Sequence, residues 1–343
     1  MSPKKKTNNI LGKIKHFFVD RLPVYKISDD GKNNKRVSIL LSPMVVVLAT
    51  YILLLVSKFI DLTLLNRDNE YMSVIILQLM IFILPGALWC RFNGERYMAR
   101  LRLKSFSPKA ISLVVCATLA MFFGSVLLSI VCKGAQSLSD NFTLYNTFVS
   151  RHNGTVGNTL YLLLAYAALP AICEEFVYRG ILCCEYERGG VLRACIISSL
   201  FFALLHFNIR NFPVYLFCGI VLCLVLYATR SLLATITVHF FYNIFGLFGE
   251  PYLGRLYILS GDMRLLVIVS IASFLLFTTL FCMQASKLYR GYLRSGSSSD
   301  YKMPVFKSND ARKQAYLEII KDPYAIASVA VYIIAGVISL ILK

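Results

Sequence analysis

Long runs of apolar residues recur along this chain of 343 residues, and they constrain its fold more than any other feature. Hydrophobic residues make up 57% of the sequence and charged residues only 16%, against about 25% charged in soluble domains. An apolar run of about 18 residues or more is typical of a transmembrane helix. The sequence therefore predicts an all-α fold, a polytopic transmembrane helix bundle with eight to nine spans.

Nine segments are candidates for these spans, and the fifth and sixth lie close enough together to form a hairpin. They are residues 37–56, 72–90, 110–132, 159–184, 191–207, 212–228, 231–248, 265–282 and 324–342. The ten cysteines fall mostly inside these runs, without the spacing of a metal site or a disulfide framework. We predict that they are small buried apolar residues.

The formal charge of +18 comes from basic residues in the connecting segments, and no nucleic-acid partner is expected. Loops on the inner side of a membrane are enriched in Lys and Arg. Three such segments, at the amino terminus, at 91–109 and at 287–321, alternate with basic-poor loops at 66–71, 133–158 and 250–262. The expected location is a bacterial cytoplasmic membrane, with a cytoplasmic amino terminus and membrane lipids as partners.

Four regions follow from this pattern. We predict that residues 1–36 form a basic cytoplasmic segment and that residues 37–157 form scaffold transmembrane helices. Residues 158–249 hold everything chemically unusual and are predicted to be the catalytic core. Residues 250–343 supply carboxyl-terminal transmembrane helices with a cytoplasmic connector at 285–323.

Ionisable residues inside apolar spans mark the candidate site, because a charge near the bilayer centre costs about 2.5–3.5 kcal/mol even on a lenient scale. The fourth span carries Glu174, Glu175 and Arg179, and the fifth and seventh carry His206 and His239. Glu175 and Arg179 are four residues apart on one helix face, where they can form an ion pair. Glu174 points about 100° away and is free to face another group.

Two further residues share helix faces with the histidines: Phe202 is four residues before His206, and Asn243 is four residues after His239. From the rise per residue, Glu174, His206 and His239 lie about 15 Å, about 22 Å and about 12 Å from the cytoplasmic ends of their helices. Within the error of the span ends these depths agree. One buried polar cavity is therefore expected.

A structural interpretation competes with the catalytic one at each position. A salt bridge alone explains Glu175 and Arg179, and packing alone explains Phe202. Packing alone does not explain Glu174, His206 and His239 together, since three costly groups lie at matched depth.

Two chemistries fit this set. A carboxylate and an imidazole can deprotonate water while a second histidine and an amide stabilise the oxyanion. Alternatively, Glu174, His206 and His239 can ligate a catalytic zinc ion. The cofactor is therefore either none or zinc. A proton-coupled transporter or channel, and a non-catalytic bacteriocin immunity or scaffold protein, remain as alternative functions.

At these residues the chain resembles the CPBP intramembrane proteases, also called the CAAX protease and bacteriocin-processing (Abi) family. The family motifs Glu-Glu-x-x-x-Arg, Phe-x-x-x-His and His-x-x-x-Asn occur here in order. They begin at Glu174, Phe202 and His239, each on a separate apolar run, and the resemblance covers about residues 161–248.

The resemblance implies an intramembrane endopeptidase acting on membrane-associated, prenylated or bacteriocin-type peptides. It further implies that Glu174 and His206 activate water and that His239 and Asn243 stabilise the oxyanion. Glu175 and Arg179 would then support the site.

Overall fold

The computed structural model describes residues 23–26, 35–38, 42–63, 70–93, 98–134, 160–249, 263–295 and 316–341. The predicted outside loop at 250–262, all but the first two residues of the one at 133–158, and most of the basic amino-terminal segment lie outside the described residues. Within these ranges the chain is almost entirely helical.

Nine apolar helices, α1 to α9, make up the described fold. They are α1 (Met44–Thr63), α2 (Glu70–Gln78, Leu79–Ile83 and Leu84–Phe92), α3 (Ile111–Lys133), α4 (Leu163–Ala168, Leu169–Glu175, Phe176–Leu182 and Cys183–Tyr186), α5 (Val191–Leu205), α6 (Phe212–Thr229), α7 (Leu232–Ile244 and Phe245–Gly249), α8 (Met263–Arg294) and α9 (Pro323–Ile341).

Six of these helices are long and apolar enough to cross a membrane, namely α2, α3, α4, α6, α7 and α8. The apolar stretches of the other three are shorter, at Met44–Ser57, Val191–Leu205 and Pro323–Ile338. The described residues thus contain six candidate spans by length and composition. The prediction of eight to nine spans stays a prediction for α1, α5 and α9.

A short β-hairpin precedes α1, and it corrects the predicted start of the first span. Strand β1 (Pro23–Lys26) pairs antiparallel with β2 (Lys35–Ser38), so Val37 lies opposite Val24 in the ladder. The helix begins only at Met44, where the backbone N–H of that residue donates to Ser42 Oγ at 3.3 Å. The prediction of a helix from residue 37 was wrong because hydropathy alone does not distinguish a strand from a helix end.

Helix α8 is also longer than predicted. It continues from the expected end at Cys282 to Arg294, so the segment predicted as a connector from residue 285 begins as helix. Residues such as Ala285, Lys287 and Leu288 favour helix in water as well as in lipid. The end of the apolar run therefore does not end the helix.

Two pairs of helices frame the bundle: α3 packs along α8, and α1 packs along α9. Inside this frame α7 packs against α3, α4 and α6, while α5 runs beside α6. Large apolar side chains such as Leu265, Ile268 and Leu275 of α8 are exposed. Such extensive apolar exposure is rare on soluble proteins and fits contact with lipid.

Eight of the ten cysteines are buried, and all ten are free thiols. Cys132 and Cys282 are the two exposed ones. The prediction of small buried apolar residues is thus confirmed for the eight.

Prolines explain why the helices that approach the site are not regular. Pro85 in α2 and Pro170 in α4 each follow a stretch of π-helix, at Leu79–Ile83 and Leu163–Ala168. Proline has no backbone N–H to donate to the preceding turn, so the hydrogen-bond pattern there changes. A third π-helical stretch, the second in α4, follows Glu175 directly at Phe176–Leu182 and contains no proline. Such stretches are frequent at functional sites.

Candidate active site

The predicted ion pair between Glu175 and Arg179 is confirmed, and it is buried completely. Arg179 Nη1 donates to Glu175 Oε1 at 2.8 Å, and neither side chain is exposed. Arg179 Nη2 donates to the backbone oxygen of Gly219 in α6 at 3.1 Å. The guanidinium therefore links α4 to α6, because its charged acceptor, Glu175, is in α4 and its neutral acceptor, the Gly219 oxygen, is in α6.

His239 lies between the two carboxylates of α4. Its Nδ1 is 2.9 Å from Glu175 Oε1, and its Nε2 is 3.9 Å from Glu174 Oε2. The sequence correctly predicted that Glu174 faces another group, but it did not predict that Glu175 binds His239. That contact depends on how α7 is rotated against α4, and residue spacing within one helix carries no such information.

These four side chains form a nearly dry charge cluster. Glu174 is 9% exposed and His239 6%, while Glu175 and Arg179 are at most 1% exposed. Buried charges are tolerated only when they compensate one another. Two carboxylates and one guanidinium carry one excess negative charge, so a single proton on Glu174 or His239 makes the cluster neutral.

Phe202 connects this cluster to the second histidine. Arg179 Cζ lies 4.3 Å from the centre of the Phe202 ring, a cation–π contact. The rings of His206 and His239 meet Phe202 edge to face, with centroids at 5.2 Å and 5.9 Å. Phe202 was predicted to be a packing residue, and it packs simultaneously against three of the predicted site residues.

His206 ends α5 and stacks on Tyr215, with ring centroids 3.7 Å apart. Tyr215 was not predicted. The sequence does contain a signal for it, because the connection between α5 and α6 is short and ends at Asn211 and Pro213. A short connection places the first turn of α6, which contains Tyr215, beside the end of α5. His206 therefore contacts the rest of the site through Phe202, and Tyr215 packs against its ring.

Asn243 lies one turn beyond His239 on α7, and its Nδ2 donates to the backbone oxygen of Ala167 at 3.3 Å. Ala167 belongs to the π-helical stretch of α4 before Pro170. An amide nitrogen carries two hydrogens, so one remains for another acceptor.

The predicted scaffold also reaches the site. Tyr51 of α1 donates its hydroxyl hydrogen to the backbone oxygen of Phe201 in α5. Ser198 of α5 donates to the backbone oxygen of Tyr178 at 2.8 Å. Tyr178 in turn meets Phe202 edge to face at 5.5 Å. These contacts fix α5 relative to α1 and α4.

A three-ligand metal site does not fit this geometry. Among the described residues, no three His, Cys, Asp or Glu side chains are placed so that they could hold a metal ion. A catalytic zinc ion is usually held by three protein ligands. The predicted alternative set of Glu174, His206 and His239 is not assembled as such a ligand set.

Comparison with curated proteins and with solved structures found no match. A family model does match: residues 156–245 fit the model described as Type II CAAX prenyl endopeptidase Rce1-like. The matched segment contains all three motifs, which begin at Glu174, Phe202 and His239. Residues 156–245 of this integral membrane chain are thus similar to the CAAX protease (CPBP) family.

Proposed function

We propose that this chain is an intramembrane endopeptidase that hydrolyses a peptide bond of a prenylated, CAAX-type substrate, with Glu174 as the general base. The observation that carries the proposal is the buried pair of Glu174 Oε2 and His239 Nε2, which face each other at 3.9 Å. The name of the matched family supports the substrate class.

The separation of 3.9 Å suits a reacting group between the two residues. It is too long for a direct hydrogen bond, and polar atoms at such a distance are often bridged by water. Glu174 Oε2 has no hydrogen-bond partner among the described residues. A water molecule held there can therefore give its proton to Glu174.

His239 is suited to stabilise the oxyanion. Glu175 Oε1 accepts the Nδ1 hydrogen, which fixes the ring and turns Nε2 toward Glu174. When His239 carries the cluster's proton, Nε2–H donates to the carbonyl oxygen as it becomes negative. The second amide hydrogen of Asn243 is proposed to donate to the same oxygen.

The reaction then balances with one water. Glu174 takes a proton from the water as its oxygen bonds to the scissile carbonyl carbon, and a tetrahedral intermediate forms. Glu174 returns this proton to the leaving nitrogen as the carbon–nitrogen bond breaks. The products are a carboxylic acid and an amine.

The remaining residues hold this geometry. His206 is proposed to hold the attacking water together with Glu174, as the family resemblance implied. Glu175 and Arg179 orient His239 and neutralise the cluster, and Phe202 positions both histidines.

The proposed topology has nine crossings with the amino terminus in the cytoplasm. Segments that were predicted to be cytoplasmic meet at one end of the bundle, which supports it. The backbone of residues 102–104 accepts hydrogen bonds from Ser231 and Leu232 at the start of α7. Tyr292 of α8 donates to the backbone of Ala228 in α6 at 3.2 Å. The four regions predicted from the sequence are retained within this proposal, except that the first span begins at Met44 and the connector begins after Arg294.

Purified protein in liposomes tests the function. A farnesylated peptide ending in Cys-aliphatic-aliphatic-any residue should be cleaved after the prenylated cysteine, as mapped by mass spectrometry. The same peptide without the farnesyl group should be cleaved more slowly. If neither peptide is cleaved while a trapped pH dye reports proton flux, the transporter alternative replaces the proposal.

A further inference from the structure

Three buried cysteines that play no part in the proposed reaction meet where α4, α5 and α6 pack together. Cys183 Sγ of α4 lies 3.7 Å from Cys223 Sγ of α6, and Cys195 of α5 also contacts Cys223. Cys183 and Cys223 are completely buried, and all three residues are free thiols. The sulfur of Cys223 is therefore the common neighbour of two other thiols.

Small residues one helical turn apart build this thiol cluster. On α6, Gly219 precedes Cys223 by four residues, and a Cβ at Gly219 would lie 2.9 Å from Ser199 Cα of α5. This close approach of the two helices places Ser199 Oγ 3.8 Å from Cys223 Sγ. On α5, Cys195 precedes Ser199 by four residues, so both side chains lie on the face that meets α6. The interface is thus narrow enough for the sulfurs to touch.

The groups around Cys223 favour negative charge on its sulfur. The Arg179 guanidinium lies beside this sulfur, and the hydroxyl of Ser199 can donate a hydrogen bond to it. The thiolate is the nucleophilic form of cysteine, and a neighbouring arginine stabilises it. Of the three thiols, Cys223 is therefore the one best placed to react first.

A cavity of about 380 Å³ lies next to this cluster, at the end of the bundle where α4 and α6 finish. Its wall includes Arg102, Arg230 and Cys184, the residue that directly follows Cys183. Most of the wall is polar, and a polar cavity of this size holds water. A small, uncharged, water-soluble oxidant can therefore come within one residue of Cys183.

We propose that Cys183 and Cys223 are a redox-active dithiol, which hydrogen peroxide converts to a disulfide that joins α4 to α6. The Cys223 sulfur attacks one peroxide oxygen, the O–O bond breaks, and a sulfenic acid and one water form. The Cys183 sulfur then attacks the sulfenic sulfur, so that the S–S bond forms and a second water leaves. The two thiols lose two electrons, and the peroxide is reduced to two waters.

The disulfide would act on the candidate active site through Arg179. That guanidinium lies beside Cys223, pairs with Glu175 and donates to the backbone oxygen of Gly219, one turn before Cys223. A covalent bond at this point would fix α4 against α6 beside the ion pair that orients His239. The dithiol itself does not depend on the proposed peptide cleavage, and its test does not use that reaction.

Thiol counting on the purified full chain tests the pair. The starting protein carries Cys132→Ser/Cys282→Ser, which removes the two exposed thiols and leaves the eight buried ones. It is treated with hydrogen peroxide in mixed micelles, unfolded in N-ethylmaleimide, digested and analysed by mass spectrometry. The number of labelled cysteines should fall from eight to six, and one cross-linked peptide should join Cys183 to Cys223. Dithiothreitol added before the label should restore all eight.

Two single substitutions in this protein are the matched variants. Cys223→Ser changes one atom and should keep its seven remaining labels after peroxide. Cys184→Ser alters the thiol next to Cys183, which donates to the Arg100 backbone oxygen at 3.6 Å instead, so this variant should still lose two labels.

Three results would overturn the dithiol. Eight labels retained after peroxide in the starting protein would leave these cysteines as small packing residues between helices. Loss of labels that dithiothreitol does not reverse would indicate oxidation of separate thiols to sulfinic acids. A cross-link between Cys195 and Cys223 would replace the proposed pair with another. The peptide map of the starting protein gives each of these answers even if Cys223→Ser does not fold.

Discussion

Replacing Arg179 by Gln should destabilise the protein by about 3–5 kcal/mol, the usual cost of removing one partner of a buried ion pair. We expect the whole of this loss in unfolding free energy because both side chains of the pair are completely buried. The guanidinium also donates to Gly219 and lies over Phe202. Removing it leaves the two buried carboxylates without the guanidinium that compensates them.

The matched variant is Glu175→Gln/Arg179→Gln. It removes both charges, so no buried charge is left without its partner, and replacing a whole buried pair is often nearly neutral. We expect the double variant to lie within about 2 kcal/mol of wild type, closer than Arg179→Gln alone.

The assay is reversible unfolding in mixed micelles, followed by circular dichroism. Arg290→Gln is the control, because Arg290 is exposed and its side chain should contribute less than about 0.5 kcal/mol. If Arg179→Gln cost less than about 1 kcal/mol, or if the double variant were the less stable of the two, the cluster would not be held by charge compensation.

Further predictions concern the packing around the cluster. A Cβ on Gly219 would lie 2.9 Å from Ser199 Cα, so Gly219→Ala should cost about 1–3 kcal/mol and displace the oxygen that binds Arg179. Gly180→Ala is its control, since a Cβ there would meet nothing closer than 3.5 Å. Equal unfolding free energies for the two variants would contradict the close approach of α5 and α6. Phe202→Leu should lose the cation–π contact, about 2 kcal/mol when desolvated, and should slow peptide cleavage. Phe201→Leu, at an equally buried neighbouring position, should cleave at the wild-type rate. If the Phe202 variant also cleaved at the wild-type rate, the Phe202 ring would have no role in the site.

Local spacing predicted some of this structure well. The apolar runs locate all nine helices, and the ion pair of Glu175 with Arg179 follows from their separation along one helix. Both inferences need only contacts within a single element. The hairpin before α1 and the extension of α8 were missed because hydropathy does not mark where hydrogen bonding changes or continues.

Contacts between helices could not be predicted in the same way. The bond from His239 to Glu175 and the stacking of His206 on Tyr215 depend on the rotation of each helix about its axis. The π-helical stretches on either side of Leu169–Glu175 change that rotation, and regular spacing does not describe them. Likewise the basic residues indicated a membrane side, but not that Arg102 and Arg230 line one cavity.

The central claim is that Glu174 is the base that activates water. Its most direct test is the kcat of Glu174→Gln on the farnesylated peptide, measured in liposomes at saturating substrate. General-base catalysis contributes about 10²–10⁴-fold, so kcat should fall by that factor. Glu318→Gln, which makes the same change in a residue paired with Arg193 away from the site, should keep wild-type kcat. A Glu174→Gln protein that is folded and cleaves at the wild-type rate would contradict the account.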